Sequence, residues 1–435
     1  MNTAAASKDD NPNPGHPLGG LLPRARDSRP RAASTLVREG IHSLVPSLLI
    51  FSLTLTGCTA LIEWGWDEPD QAFLKTHITT MERKPFDGVV LHLTVPGVPP
   101  GVSNFSWHLD DHRYQWHEIL PAVEELKAVP FRRFRHNFLR INLNPGNGPL
   151  DMLDDQTWET VFANLRLAAR TVREAGLKGF MLDPEAYARP DPTSGRPRFN
   201  VFDYGRRAVR EASLDVYRSA AFKRGREAAA ILGSTAPDLV LLFAFAYTFP
   251  CGSPTRAADG GYGLLPAFLD GILVAKPPNM VVIEGHESSY PLRYCPQFQE
   301  AYRRLRVECR RLSLVPDRYD RDLRIAFAIW MDNESGSYCA SYRKEGKPCP
   351  WTDPNLYPVE ARHQVDPHDF EGAVASALDL TDRYVWIYSE EPKWWTPSRP
   401  DGENLPAEFV EAIERARSAF AARRGSLCQK PPLND

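Results

Sequence analysis

Eight short apolar segments, each followed by an amphipathic stretch, constrain the fold of this 435-residue chain more than any other feature. They read as strands at Leu61–Trp66, Phe86–Leu93, Phe138–Leu143, Gly179–Asp183, Leu239–Ala246, Met280–Glu284, Ile325–Trp330 and Tyr384–Tyr388. Strands apolar on both faces and separated by helices belong to a parallel sheet covered on both sides. The clearest helix carries Trp158, Val161, Phe162, Leu165, Ala168, Ala169 and Val172 at i, i+3, i+4, i+7 spacing, and Gly176 stops it. Others are expected around Trp116–Ala128, near 214–231, 264–274, 297–312 and 367–380, and last at about 406–423. Asp67-Glu68-Pro69 offers a cap, an acidic first turn and an early proline for a helix running to Met81. No Gly-x-Gly-x-x-Gly follows any strand, so an α/β fold closed into a (β/α)8 TIM barrel is expected rather than a doubly wound nucleotide-binding sheet. The barrel is read as one domain, 59–425, with a tail at 426–435.

The first 58 residues stand outside this pattern. Residues 1–36 are rich in Pro, Ser, Ala and Arg without apolar periodicity, the composition of a disordered segment. Arg24, Arg26, Arg29, Arg31 and Arg38 precede an apolar run from Leu44 to Leu55. About a dozen apolar residues are short for a bilayer span and fit the core of a signal peptide. The ending Leu55-Thr56-Gly57-Cys58 resembles the bacterial lipoprotein box, which implies a lipidated Cys58 at the mature N-terminus; a plain signal peptide with an incidental cysteine is the alternative. Export to the cell envelope, periplasm or exterior follows from either reading. The remaining cysteines, Cys251, Cys295, Cys309, Cys339, Cys349 and Cys428, are even in number, as three disulfides in an oxidising compartment would require. Cys339–Cys349 and then Cys251–Cys295 are the expected pairs. A formal charge of −3 leaves no basic footprint for nucleic acid, and membrane contact is expected only through Cys58.

Catalytic groups of such barrels lie at the C-terminal ends of the strands. Here those ends carry Trp64, Trp66, His92, Asn142, Asp183, Glu185, Tyr187, Tyr247, Glu284, His286, Trp330, Asp332, Tyr388, Glu390 and Trp394. Alternation along a strand puts Asp183 with Glu185, and Glu284 with His286, on one face. Crowded carboxyl groups raise one another's pKa, and a protonated acid beside an ionised partner is what glycosidic cleavage needs. Aromatic faces supply stacking surface for sugars. Glu185 is the expected general acid, Asp183 its orienting neighbour, and Glu284 or Glu390 the second carboxylate. Glu63 is expected to pair with Arg140, Asp67 to cap a helix, and Glu287 and Glu391 to stand at the rim. His108, His112 and His117 with Asp110 and Asp111 read as a polar loop rather than a metal centre. No cofactor is expected. Gly-x-Ser-x-Gly, His-Glu-x-x-His and phosphate-loop motifs are missing from the sequence.

Ile62-Glu63-Trp64-Gly65-Trp66-Asp67-Glu68-Pro69, Leu182-Asp183-Pro184-Glu185, Glu284-Gly285-His286-Glu287-Ser288-Ser289-Tyr290 and Trp386-Ile387-Tyr388-Ser389-Glu390 together resemble a group of secreted bacterial glycosidase-like barrels. The resemblance covers most of the chain after residue 61 and implies a carbohydrate substrate without naming a reaction. Asp183 and Glu185 are also similar to the Asp-x-Glu that ends the fourth strand of chitinase-type barrels, although Gly179 and Met181 replace that motif's upstream aspartates. An exported glycoside hydrolase is therefore expected, with a non-catalytic glycan-binding barrel and a metal-dependent hydrolase as alternatives.

Overall fold

The computed structural model describes residues 59–144, 150–187, 200–205, 212–252, 261–332, 365–390, 392–403, 405–422 and 428–433. The chain divides into units Met1–Leu55 and Thr56–Asp435; the first, and Cys58, lie outside the described residues.

The second unit runs β1 (Ala60–Glu63), α1 (Gln71–Met81), β2 (Gly88–Leu91), α2 (Trp116–Lys127), β3 (Phe138–Asn142), α3 (Asp155–Ala175), β4 (Gly179–Asp183), α4 (Leu214–Thr235), β5 (Val240–Phe243), α5 (Thr248–Cys251), α6 (Leu265–Ala275) and β6 (Val281–Glu284). It continues through α7 (Cys295–Val307), α8 (Pro316–Asp322), β7 (Leu323–Ile325), β8 (Phe327–Trp330), α9 (Pro367–Leu380), β9 (Tyr384–Tyr388) and α10 (Ala407–Ala422). All strand pairs are parallel, in the order β7-β6-β5-β4-β3-β2-β1-β9-β8. The expected seventh strand is thus two pieces hinged at Ala326. Its first piece pairs with β6 and its second with β9, so one stretch of chain forms both ends of the sheet and closes the (β/α)8 barrel.

Strand residues are buried on both faces almost without exception, which is why they read as unbroken apolar runs. Helix α3 buries the stripe seen in the sequence, with Asp154 accepting from the Gln156 N–H at 3.0 Å at its start and left-handed Gly176 at its end. Helices α4 and α6 touch backbone to backbone. A Cβ on Gly225 would stand 1.9 Å from the Phe268 carbonyl oxygen, and one on Gly271 2.1 Å from that of Phe222.

Three expectations are corrected here. Helix α1 is capped by Asp70, whose Oδ1 accepts from the Phe73 N–H at 2.9 Å; β1 stops at Glu63, and 64–69 is loop. Cys251 pairs with Cys309 rather than Cys295, because α5 and the turn after α7 lie side by side. Cys295 pairs with Cys428, which pins part of the segment read as a tail onto the start of α7. Cys339 and Cys349 lie outside the described residues.

Candidate active site

A cavity of about 470 Å³ opens at the C-terminal ends of the strands, lined by Trp64, Trp66, His92, Asp183, Glu185, Tyr187, Trp330, Tyr388 and Glu390 among the expected residues. Glu68, Asn104, Trp107, Arg140, Glu287 and Tyr290 complete its polar and aromatic wall.

The wall is built outward from one buried cation. Arg140 on β3 donates to Asp183 Oδ2 at 3.0 Å and lies 3.6 Å from Glu68, with its guanidinium 4.5 Å from the Trp107 ring centre. Burial alone would raise the Glu68 carboxyl. Arg140, together with His92 at 3.3 Å and the Trp64 indole N–H at 3.1 Å, holds it below its ordinary value. Asp183 also accepts from the Tyr187 hydroxyl at 2.9 Å and the Glu185 N–H at 2.9 Å, so both its oxygens are engaged. Asn142 stands behind it at 3.5 Å, outside the cavity lining.

Glu185, two residues past β4, reaches water through the cavity mouth. The surrounding protein and then the Asp183 charge push its carboxyl up to about 7, against the opposing pull of Tyr187 and Arg140. In the same cavity lining, burial and then the charges of Glu185 and Asp183 raise Glu287 well above the usual carboxylate range, while its bond to Tyr290 pulls the other way. A charge on Glu185 or Asp183 thus disfavours ionisation of Glu287. Tyr290 stacks on Tyr388 at 5.4 Å and meets Trp330 edge-on at 5.5 Å, forming an aromatic side wall.

Glu287 enters the cavity because the chain turns sharply after β6. His286 adopts φ 52°, ψ 52°, and a Cβ on Gly285 would lie 2.1 Å from the Phe243 carbonyl oxygen. The simple alternation expected of Glu284 and His286 therefore ends at Glu284. That carboxylate is buried and accepts from the N–H groups of Ala246 (3.0 Å), Tyr247 (2.7 Å), Thr248 (3.2 Å) and His286 (3.1 Å), and from the Thr248 hydroxyl (2.9 Å). Its lone pairs are spent holding the loop after β5, and Glu284 does not line the cavity, whereas Glu287 and Glu390 do.

Other expected residues also fall outside the cavity. His286 lines a separate cavity of about 240 Å³ on the far side of the turn. Tyr247 is buried and donates to Asp270 at 2.7 Å. Asp332 lies behind Glu390, accepting from its N–H at 3.0 Å and from the Trp330 indole at 2.8 Å. Trp394 is a core plug against Phe86. Glu63 does not pair with Arg140: its neighbour is the Asp67 carboxyl, and burial and then Asp67 raise it well above the usual carboxylate range. Asp67 caps no helix; its Oδ2 accepts from the Trp394 N–H, anchoring the loop after β1 to the one after β9. Glu390 does line the cavity, with the Tyr388 hydroxyl donating to it at 3.0 Å. Glu391 lies outside the described residues. In the histidine-rich loop, His108 bonds to Asp111 at 3.1 Å; among the described residues the one group with ligand spacing is Asp366, His368 and Asp369, elsewhere on the surface.

Trp107 and Asn104 come from the loop after β2 and escape strand-end reasoning; a tryptophan in a long loop above a barrel was their one signal.

No protein-family model matches the chain, and no curated protein matches it. Among solved structures, a broad-specificity endoglucanase from an uncultured bacterium is similar over 83% of this chain and 94% of its own, at 12% identity and TM-score 0.41. A β-mannanase from the blue mussel Mytilus edulis is similar over 87% and 94%, at 12% identity and TM-score 0.40. An endonuclease IV from Thermus thermophilus is similar over 84% and 100%, at 13% identity and TM-score 0.37. The cavity's own residues are the evidence for function.

Proposed function

We propose that this chain is an exported glycoside hydrolase that cleaves a glycosidic bond between Glu185 and Glu287. The observation that carries the reading is two raised carboxyl groups, Glu185 and Glu287, lining one aromatic-walled cavity at the catalytic end of a barrel. Glu185, open to the cavity mouth, protonates the departing glycosidic oxygen. With Glu185 protonated, one of the charges that raises Glu287 is gone, and the ionised Glu287, bonded to Tyr290, either attacks the anomeric carbon or takes a proton from water. Asp183, fixed by Arg140, Asn142 and Tyr187, holds the Glu185 main chain and keeps its carboxyl protonated near neutrality. Trp64, Trp66, Trp107, Trp330 and Tyr388 offer faces to sugar rings. Two disulfides support an oxidising compartment, in keeping with export and a lipid anchor at Cys58.

Digestion of a glycan panel with detection of products by mass spectrometry tests the activity. Glu185→Gln is expected to lower turnover of substrates with poor leaving groups by about 10² to 10⁴. Undiminished turnover would remove Glu185 from the role, and a wild-type chain that binds glycans but releases no product would make this a glycan-binding barrel.

A further inference from the structure

The cavity holds more carboxyl groups than glycosidic cleavage requires. Among the described residues its lining holds five carboxyl side chains, Glu68, Asp183, Glu185, Glu287 and Glu390, against Arg140 and His92. Arg140 is already engaged by Glu68 and Asp183, and Glu185 with Glu287 is taken up by the reaction. Behind the wall at Gly65, Glu63 and Asp67 add a second buried carboxyl pair, their Oε1 and Oδ1 standing 3.2 Å and 2.7 Å from where a Cβ on Gly65 would lie. Lys393 approaches from the same side, but its Nζ donates to the Glu390 carbonyl oxygen and it does not line the cavity. What remains is Glu390. Its carboxyl group is held by the Tyr388 hydroxyl at 3.0 Å and by Trp66, beside three mutually packed rings: Tyr290 and Tyr388 are 5.4 Å apart, and Trp330 is 5.5 Å from each. A carboxylate next to aromatic faces is the arrangement that seats an ammonium group. A neutral sugar gains little from it, and a uronate or sulfate is repelled by it.

We propose that the substrate is a glycan with free amino groups, an oligomer of de-N-acetylated hexosamine whose ammonium is seated by Glu390 among Tyr290, Trp330 and Tyr388. This rests on reading the cavity as a saccharide site, and binding tests it separately from turnover. Calorimetric titration of the full chain carrying Glu185→Gln compares tetramers of glucosamine, glucose and galacturonic acid. Glucosamine tetramer is expected to bind at least about tenfold tighter than glucose tetramer at low salt, with the margin shrinking at roughly 0.5 M salt as charges are screened. Adding Glu390→Gln should close the margin, measured as the ratio of the two affinities in the same variant, while Glu390→Asp keeps part of it. Equal or weaker binding of the amino tetramer, preference for the uronate, or a margin untouched by salt and by Glu390→Gln would overturn the proposal. Discrimination in binding with no cleavage of any tetramer by the wild type would leave it standing and remove the hydrolase reading instead.

Discussion

Glu185 and Glu287 owe their chemistry to neighbours rather than to their own positions in the sequence. Burial and the Asp183 charge push Glu185 up to about 7. A general acid must be protonated to work, so kcat/KM is expected to fall as pH rises through that value. In Asp183→Asn the repelling charge is gone while the side chain keeps its size. The alkaline limb should then move to lower pH, by about one unit, with activity near pH 5 affected less than activity near pH 7.5. A pH–rate profile checks this, and an unmoved limb would show that Asp183 does not tune the acid. Asp-x-Glu at a strand end was legible from spacing alone. The part played by Glu287 was not, because a left-handed residue between it and β6 breaks the alternation on which such reasoning depends.

The turn from β6 into Glu287–Ser289 is the element that sets the geometry of the pair. Its His286 is buried, and burial lowers its pKa to about 4. A histidine depressed below its unfolded value binds more protons in the unfolded chain, so stability is lost as pH falls from about 6.5 to 4. That window corresponds to roughly 3 kcal/mol at about 1.4 kcal/mol per pH unit. His286→Asn keeps a residue that tolerates the left-handed conformation but cannot be protonated. Chemical denaturation at pH 7 and pH 4.5 should show the acid loss reduced in this variant. His286→Val, whose branched Cβ opposes that conformation, should be destabilised at both values. Equal pH sensitivity of His286→Asn and wild type would discount the buried imidazole as the cause. The helix-to-strand alternation itself was readable, since burial on both faces writes itself as unbroken apolar runs. The break at Ala326 was not, because each half of that strand is equally apolar and only its partner differs.

For the molecule as a whole, the proposed export and the disulfides make one prediction. Intact-mass analysis of the membrane-bound protein is expected to give a chain beginning at a diacylated Cys58, with Cys251, Cys309, Cys295 and Cys428 resistant to thiol labelling until reduction. A soluble full-length chain with reactive thiols at those positions would reject it. The disulfide partners lie 58 and 133 residues apart, and spacing alone pointed to the wrong partner for Cys251. By itself the sequence determined the barrel and the ring of strand-end residues from which the cavity is drawn, because period and burial are local properties of each segment. Tertiary structure alone decided which members of that ring face the cavity. Only the packed turns show that Glu284 is consumed by four N–H groups and a hydroxyl, that Arg140 serves Asp183 and Glu68 instead of Glu63, and that Glu287 lines the same cavity as Glu185. Hydrogen-bond satisfaction and electrostatic coupling join residues roughly 40 to 100 positions apart, and no local pattern in the chain encodes them.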